Sequence, residues 1–258
     1  MNDPRRIVVA GCWHGRAPWA RSVIARLPKL LPDESPRIVV HTGDFGIWPG
    51  GEAFVDSINR ALCDVDARLW FVDGNHEYHP KLHRLRTSPG CTDPVPVGSA
   101  ITWLPRGHRW DWHGTSWLAL GGAVSVDRAH RTEGVSWWPQ EEITDADIAR
   151  VVAGGHADVM VTHDAPSTVR LPLGPPDPSW SLADLARADR HLERLQQVVD
   201  VVMPSVIVHG HYHLAHESVT PMHYGPVEVL GLDREGSGGT GNFGVLDVRD
   251  LPTAVIRD

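Results

Sequence analysis

The sequence predicts an α/β protein organised around a largely parallel β-sheet flanked by helices. Short β-branched runs ending in Gly or a polar residue recur along the chain, and stretches with apolar spacing of three and four intervene between most of them. The length of 258 residues, with 41% hydrophobic and 22% charged, is enough to bury a substantial core and is far from the composition of disordered or fibrous chains.

Taken in order, RIVVAG (6–11) reads as a buried strand, residues 18–31 as a helix, RIVVHTGD (37–44) as a second strand and 52–63 as a second helix. RLWFVDGN (68–75) is a third strand, and the Trp-rich section of about 100–138 suggests extended hairpins. A helix over 141–152 precedes the strand DVMVTHD (158–164), and the Pro-rich LPLGPPDP (171–178) reads as a surface loop. Residues 181–202 give the clearest helix, with Ser181 as N-cap behind Pro178, followed by the strand SVIVHGH (205–211). The tail, VEVLGLD then GSGGTG then NFGVLDV, predicts a hairpin that extends a second sheet. With no repeat and no long linker, residues 1–258 are expected to form one domain.

The formal charge of 24 minus 32, or −8, disfavours a protein that coats nucleic acid by long-range attraction. Cys12, Cys63 and Cys91 lie far apart with no CxxC pair, which excludes a disulfide framework and fits a reducing, cytoplasmic setting. The apolar run near the N-terminus is too short for a signal peptide or a membrane span. Sixteen His residues make position the question, because imidazole is both a metal ligand and a proton carrier.

Each of the five strand runs ends in candidate ligands: Cys12 and His14, then Asp44, then Asn75 and His76, then His163, then His211 and His213. In open α/β sheets ligands bind beyond the carboxyl ends of the strands, so these clusters should converge in one crevice. Cys12, His14, Asp44, Asn75, His163, His211 and His213 offer seven donors. One divalent ion takes about four, so seven donors sharing one carboxylate suit two ions about 3.5 to 4 Å apart, with Asp44 as the natural bridge. The histidines His41, His83, His108, His113, His130, His156, His191 and His223 read as ordinary core or surface residues.

The order CWH, GDFG, DGNHE, THD, GHYH resembles the calcineurin-like metallophosphoesterase superfamily, whose pattern is DxH, GD, GNH(D/E), H and GHxH. The motifs span residues 12–213. The resemblance implies a four-layer α/β/β/α sandwich of two mixed β-sheets flanked by helices. It implies one ion held by Cys12, His14, Asp44 and His213, and another by Asp44, Asn75, His163 and His211. His76 would contact the phosphate and assist the leaving group as general acid without binding metal. The implied cofactors are two transition-metal ions (Fe, Mn or Zn), and the implied substrate is a phosphate-ester small molecule or nucleotide. A metal-bridging hydroxide would attack phosphorus, with Asp44 and His76 as the catalytic residues. Within this frame most of Trp103, Trp110, Trp112, Trp117, Trp137 and Trp138 are expected between the sheets.

Two departures modify that picture. Cys12 stands where the family has Asp, and a thiolate shifts preference toward zinc or iron and away from magnesium. Protein phosphatases read GDxxDRG where this chain reads GDFGIWP, so Ile47 replaces the Asp that orients the catalytic His in that branch. That favours a phosphodiesterase or small-molecule phosphatase over a protein phosphatase and leaves the partner of His76 open. Arg16, Arg128 and Arg131 are candidate phosphate-binding residues. The rival readings are a non-catalytic scaffold of the same fold and a nuclease, the latter without support from charge; no protein partner can be inferred.

Three other motifs lead elsewhere and fail. GSGGTG (236–241) lacks a following helix, so it reads as a hairpin loop rather than a dinucleotide site. HEYHP (76–80) is one residue short of HExxH, and Pro80 would interrupt the helix that motif needs. HYHLAH (211–216) has Ala215 where a metallo-β-lactamase-type motif needs Asp.

Overall fold

The computed structural model describes residues 3–237 and 241–251, with the backbone of 255–256 in addition. The chain runs β1 (Arg6–Ala10), α1 (Ala17–Ile24), α2 (Leu27–Leu30), β2 (Arg37–His41), α3 (Glu52–Asp64), β3 (Ala67–Phe71) and α4 (His79–Leu85). It continues through β4 (Val95–Pro96), β5 (Ile101–Trp103), β6 (Arg109–Trp112), β7 (Thr115–Leu120), α5 (Asp145–Ala153), β8 (Val159–Thr162) and α6 (Leu182–Val202). The last strands are β9 (Val206–His209), β10 (His216–Met222), β11 (Gly225–Gly231), β12 (Phe243–Asp247) and β13 (Val255–Ile256).

These strands make two mixed sheets. The first has seven strands in the order β13-β12-β1-β2-β3-β5-β4, and the second six in the order β10-β11-β9-β8-β7-β6. The central strands β1, β2, β3 and β5 are parallel, as are β7, β8, β9 and β11, while the outer strands turn antiparallel. Strand alternation sorts the core into three apolar layers. In β1, Ile7 and Val9 face the second sheet, where they join Val159, Val161, Val206 and Val208. Val8 and Ala10 face the other way, toward Val23, Ile58 and Leu62 of α1 and α3. On the far side, Met160 and Ile207 meet Leu195, Val198 and Val199 of α6. Three apolar layers between helices and two sheets are the α/β/β/α sandwich that the resemblance implies. Trp112 and Trp117 lie between the sheets with Trp70 and Trp110 against them, whereas Trp103 packs on the helix side of the first sheet.

Three expectations are corrected. The stretch 18–31 splits into α1 and α2, because the ring of Pro28 clashes with the carbonyl one turn back, at Ile24. The tail is no hairpin: β11 pairs with β10 in the second sheet, and β12 crosses to lie antiparallel to β1 in the first. Residues 238–240 of the connecting GSGGTG fall outside the described residues. The Trp-rich section forms the β6–β7 hairpin, but residues 121–142 form an irregular connection with only two short 3-10 turns. Pro80 sits in the first turn of α4, so the helix starts after GNHE instead of containing it. The α6 N-cap is as expected, with the Asp184 N–H donating to Ser181 Oγ at 3.0 Å. Among the described residues, no helix is long and apolar enough to cross a membrane.

One buried ion pair ties the 121–142 connection to the first sheet. Arg106 donates to Asp73 Oδ2 through Nε (2.9 Å) and Nη2 (2.7 Å), and also reaches the carbonyls of Gln140 and Glu141 (2.9 Å each) and of Glu142. Burial would raise the Asp73 carboxyl, but the Arg106 cation outweighs it and holds the group at about 2. Removing one partner of a buried pair strands the other charge, so Asp73→Ala should cost about 3–5 kcal/mol in denaturant unfolding. The folded value is the depressed one, so this stability is complete above the ordinary carboxylate range and fades as pH falls toward about 2. An unchanged unfolding midpoint would show that the pair contributes nothing.

Candidate metal centre

All the turns that carry the candidate ligands leave the C-terminal ends of β1, β2, β3, β8 and β9, where the two sheets face each other. The CWH turn is fastened to the GD turn, since the N–H groups of Trp13 and His14 both donate to the Asp44 carbonyl (3.0 and 2.8 Å). Two glycines permit the close approach. A Cβ on Gly74 would fall within contact of Asp44 Oδ1, and one on Gly43, at φ +99°, would collide with the His163 ring. Glu77 locks the same turns from beneath, accepting from the N–H groups of Asp44 (3.1 Å), Gly46 (3.1 Å) and Gly74 (2.6 Å). Burial, with the Asp44 charge adding to it, raises Glu77 to about 7.

His14, Asp44, His211 and His213 have φ of +42°, +55°, +67° and +52°. Non-glycine residues in this region each cost about 1–3 kcal/mol, a strain characteristic of functional sites.

Cys12 Sγ, His14, Asp44 and His213 bring one donor atom each to within 4.8 Å of one another. A soft thiolate, two imidazoles and a carboxylate at that spacing fit a four-coordinate transition-metal ion. His14 Nε2 lies 3.3 Å from Asp44 Oδ2, while its Nδ1 donates to Glu235 Oε2 at 2.7 Å. Against the cost of burial, the Asp44 and Glu235 carboxylates raise His14 to about 9, so this part of the cleft favours positive charge. Burial, reinforced by the Asp44 charge, pushes the Cys12 thiol well above its ordinary value. A coordinated cation works in the opposite sense and deprotonates a thiol.

Beside this cluster, His163 Nε2 lies 3.4 Å from Asp44 Oδ2 and 3.1 Å from Asn75 Oδ1. His163 Nδ1 donates to the Thr42 carbonyl at 2.6 Å, which directs Nε2 at those oxygens. The Asn75 amide is oriented in turn: its Nδ2 donates to Ser125 Oγ (3.0 Å), whose hydroxyl donates to Glu141 Oε2 (2.6 Å). The His211 ring sits 5.0 Å from that of His163. Against burial, the charge on His163 and hydrogen bonds from His14 and His163 hold the Asp44 carboxyl well below its usual range.

His76 stands at the edge, its Nε2 3.9 Å from Asp44 Oδ2 and its backbone N–H donating to Asp44 Oδ1 at 2.9 Å. Of the three candidate phosphate-binding arginines, Arg16 approaches Glu235 (3.4 Å) and is largely exposed. Arg128 pairs with Asp184 (3.0 Å), and Arg131 lies against His76.

Sequence reasoning missed Glu235, Asn242, Ser125, Glu141 and Asp164. Asn242 is buried and accepts from Trp13 Nε1 (3.1 Å) and Trp19 Nε1 (2.7 Å) while donating to the carbonyls of Cys12 (3.2 Å) and Asp233 (2.7 Å). Asp164 accepts from Tyr212 (2.6 Å) and pairs with His191 (2.8 Å), tying the GHYH loop to α6. Asp164 directly follows the motif residue His163, and that adjacency could have found it; Glu235 and Asn242 carry no periodicity or motif signal.

The chain belongs to the calcineurin-like phosphoesterase family, whose sequence model matches residues 5–215. Among curated proteins none matches. Of solved structures, TT1561 of Thermus thermophilus superposes with a TM-score of 0.58, at 12% identity over 98% of each chain. That likeness shows a shared fold. Sulfate thiohydrolase SoxB of Thermus thermophilus, in complex with glycerol, gives 0.38 at 15% identity, covering 92% of this chain and 40% of that one. A protein serine/threonine phosphatase from Saccharomyces cerevisiae, with similarity to human phosphatase PP5, gives 0.37 at 14%, covering 95% and 74%.

Proposed function

We propose that the protein is a binuclear metal-dependent phosphoesterase acting on small phosphate esters, phosphodiesters foremost. The observation that carries this reading is the cluster of Cys12, His14, Asp44 and His213, with donors within 4.8 Å of one another, at the strand ends of a calcineurin-like chain. Those four would hold one ion; Asp44, Asn75, His163 and His211 would hold the other. Two such cations polarise phosphoryl oxygens and lower the pKa of a bound water.

The chain's own groups do the rest. Asp44 shares its charge between the two halves of the centre, and the hydrogen bonds from His163 to Thr42 and from His14 to Glu235 aim the opposite ring nitrogens inward. His76 offers Nε2–H to the departing oxygen, where negative charge develops.

Loading the purified chain with zinc, iron or manganese and assaying a nitrophenyl phosphodiester tests the proposal. Two ions per chain and metal-dependent hydrolysis are expected; near-zero metal with no hydrolysis would overturn it. Cys12→Ala should lower the stoichiometry from two toward one, measured by elemental analysis. Unchanged stoichiometry would make Cys12 a buried apolar residue of the core.

A further inference from the structure

We propose that Arg131, seated on Asp127, is a positioning residue that fixes the orientation and tautomer of His76. The inference rests on the role just given to His76. In protein phosphatases an Asp shortly after the GD motif orients the His; here Ile47 stands at that position and is buried with Phe45. The hydrogen-bonding groups on the His76 ring come instead from the irregular connection between β7 and α5.

Arg131 grips Asp127 through Nε to Oδ1 and Nη2 to Oδ2, both at 2.7 Å, a bidentate fork that defines the guanidinium plane. Its Nη1 stands 2.8 Å from His76 Nδ1 and 3.2 Å from the Ser136 carbonyl, and Nη2 lies 3.3 Å from His76 Nε2. A guanidinium only donates, and we assign the acceptor to the nearer ring nitrogen, Nδ1, which puts the ring hydrogen on Nε2. Nε2 is the nitrogen on the Asp44 side. Four of the five guanidinium N–H groups thus have acceptors, and the remaining Nη2–H lies on the His76 side, with Nη2 3.3 Å from Nε2. The same connection presents Ser125 to Asn75, so the neighbouring residues of the GNHE turn are both set by one segment.

Arg131→Ala, Arg131→Lys and Asp127→Asn, each alone and with His76→Ala, provide the test. Arg131→Ala should lower kcat by up to about 10²-fold with little change in KM, as expected for a displaced reacting group. Lys, which supplies charge without the fork, should not rescue it. In the His76→Ala background Arg131→Ala should add nothing further. A raised KM, rescue by Lys, or losses that multiply in the double variant would overturn the proposal and make Arg131 a substrate-binding residue. Nitrogen-15 NMR of the His76 ring in the metal-free protein reads the tautomer independently of activity. One Nε2–H form in the wild type and a mixture in Arg131→Ala are expected; the same tautomer population in both would refute the positioning role. A wild type with the expected NMR signature and no hydrolysis would sink the phosphoesterase reading alone.

Discussion

Asp44→Asn is expected to lower hydrolysis of a nitrophenyl phosphodiester by at least about 10³-fold, because it weakens both halves of the proposed centre together. Asp44 Oδ2 lies within 3.4 Å of the Nε2 atoms of both His14 and His163, so it is the one carboxylate common to the two ligand groups. Asn keeps an acceptor for the His76 N–H but removes the charge and turns N–H donors toward ring nitrogens that coordinate in the proposed centre. Cations in such a site supply several kcal/mol to the transition state, and each 1.36 kcal/mol is about tenfold in rate. Metal content should fall below one ion per chain. The fold should survive, since Glu77, Gly74 and the Asp44 backbone are untouched. A variant that keeps two ions and full rate would eliminate Asp44 as the bridge.

His76→Ala should keep both ions and lose about 10²- to 10⁴-fold in rate. The two variants therefore separate along metal content. With His76 in its proposed role, offering Nε2–H to the departing oxygen, the loss should grow with the basicity of the leaving group. Alkyl esters should suffer far more than nitrophenyl esters, whose leaving groups need little help. Equal losses on the two substrates would remove His76 from the leaving-group side.

The residues that announce themselves in the sequence are those whose chemistry is local. Asp44, the Asn75–His76 pair and the two His of GHYH each follow a β-branched run, and parallel strands force such ends to one edge, so their convergence was legible before any coordinates. The helix of 182–202 was legible because Ser181 caps it and its apolar spacing is regular. Long-range choices were not. The segment 227–248 has the composition of a hairpin, yet β12 lies along the edge of β1 in the other sheet, a pairing between opposite ends of the chain. Pro28 could have announced the break after α1, since its clash is also local. Asp127 and Arg131 flank a short 3-10 turn in a stretch with no period, and their approach to His76 depends on contacts far apart in the sequence.

The crossing of β12 sets how short a working fragment can be. Every proposed ligand lies at or before His213, and the family match ends at residue 215. A chain cut there would keep each donor yet lose the carboxylate on His14 and the strand that borders β1. It would also lose the Asn242 amide beneath Cys12, which two indole N–H groups hold in place. Deletion boundaries drawn from motifs alone would thus yield a polypeptide whose first candidate-ligand turn has no floor. Expression trials should retain the chain through at least Asp247.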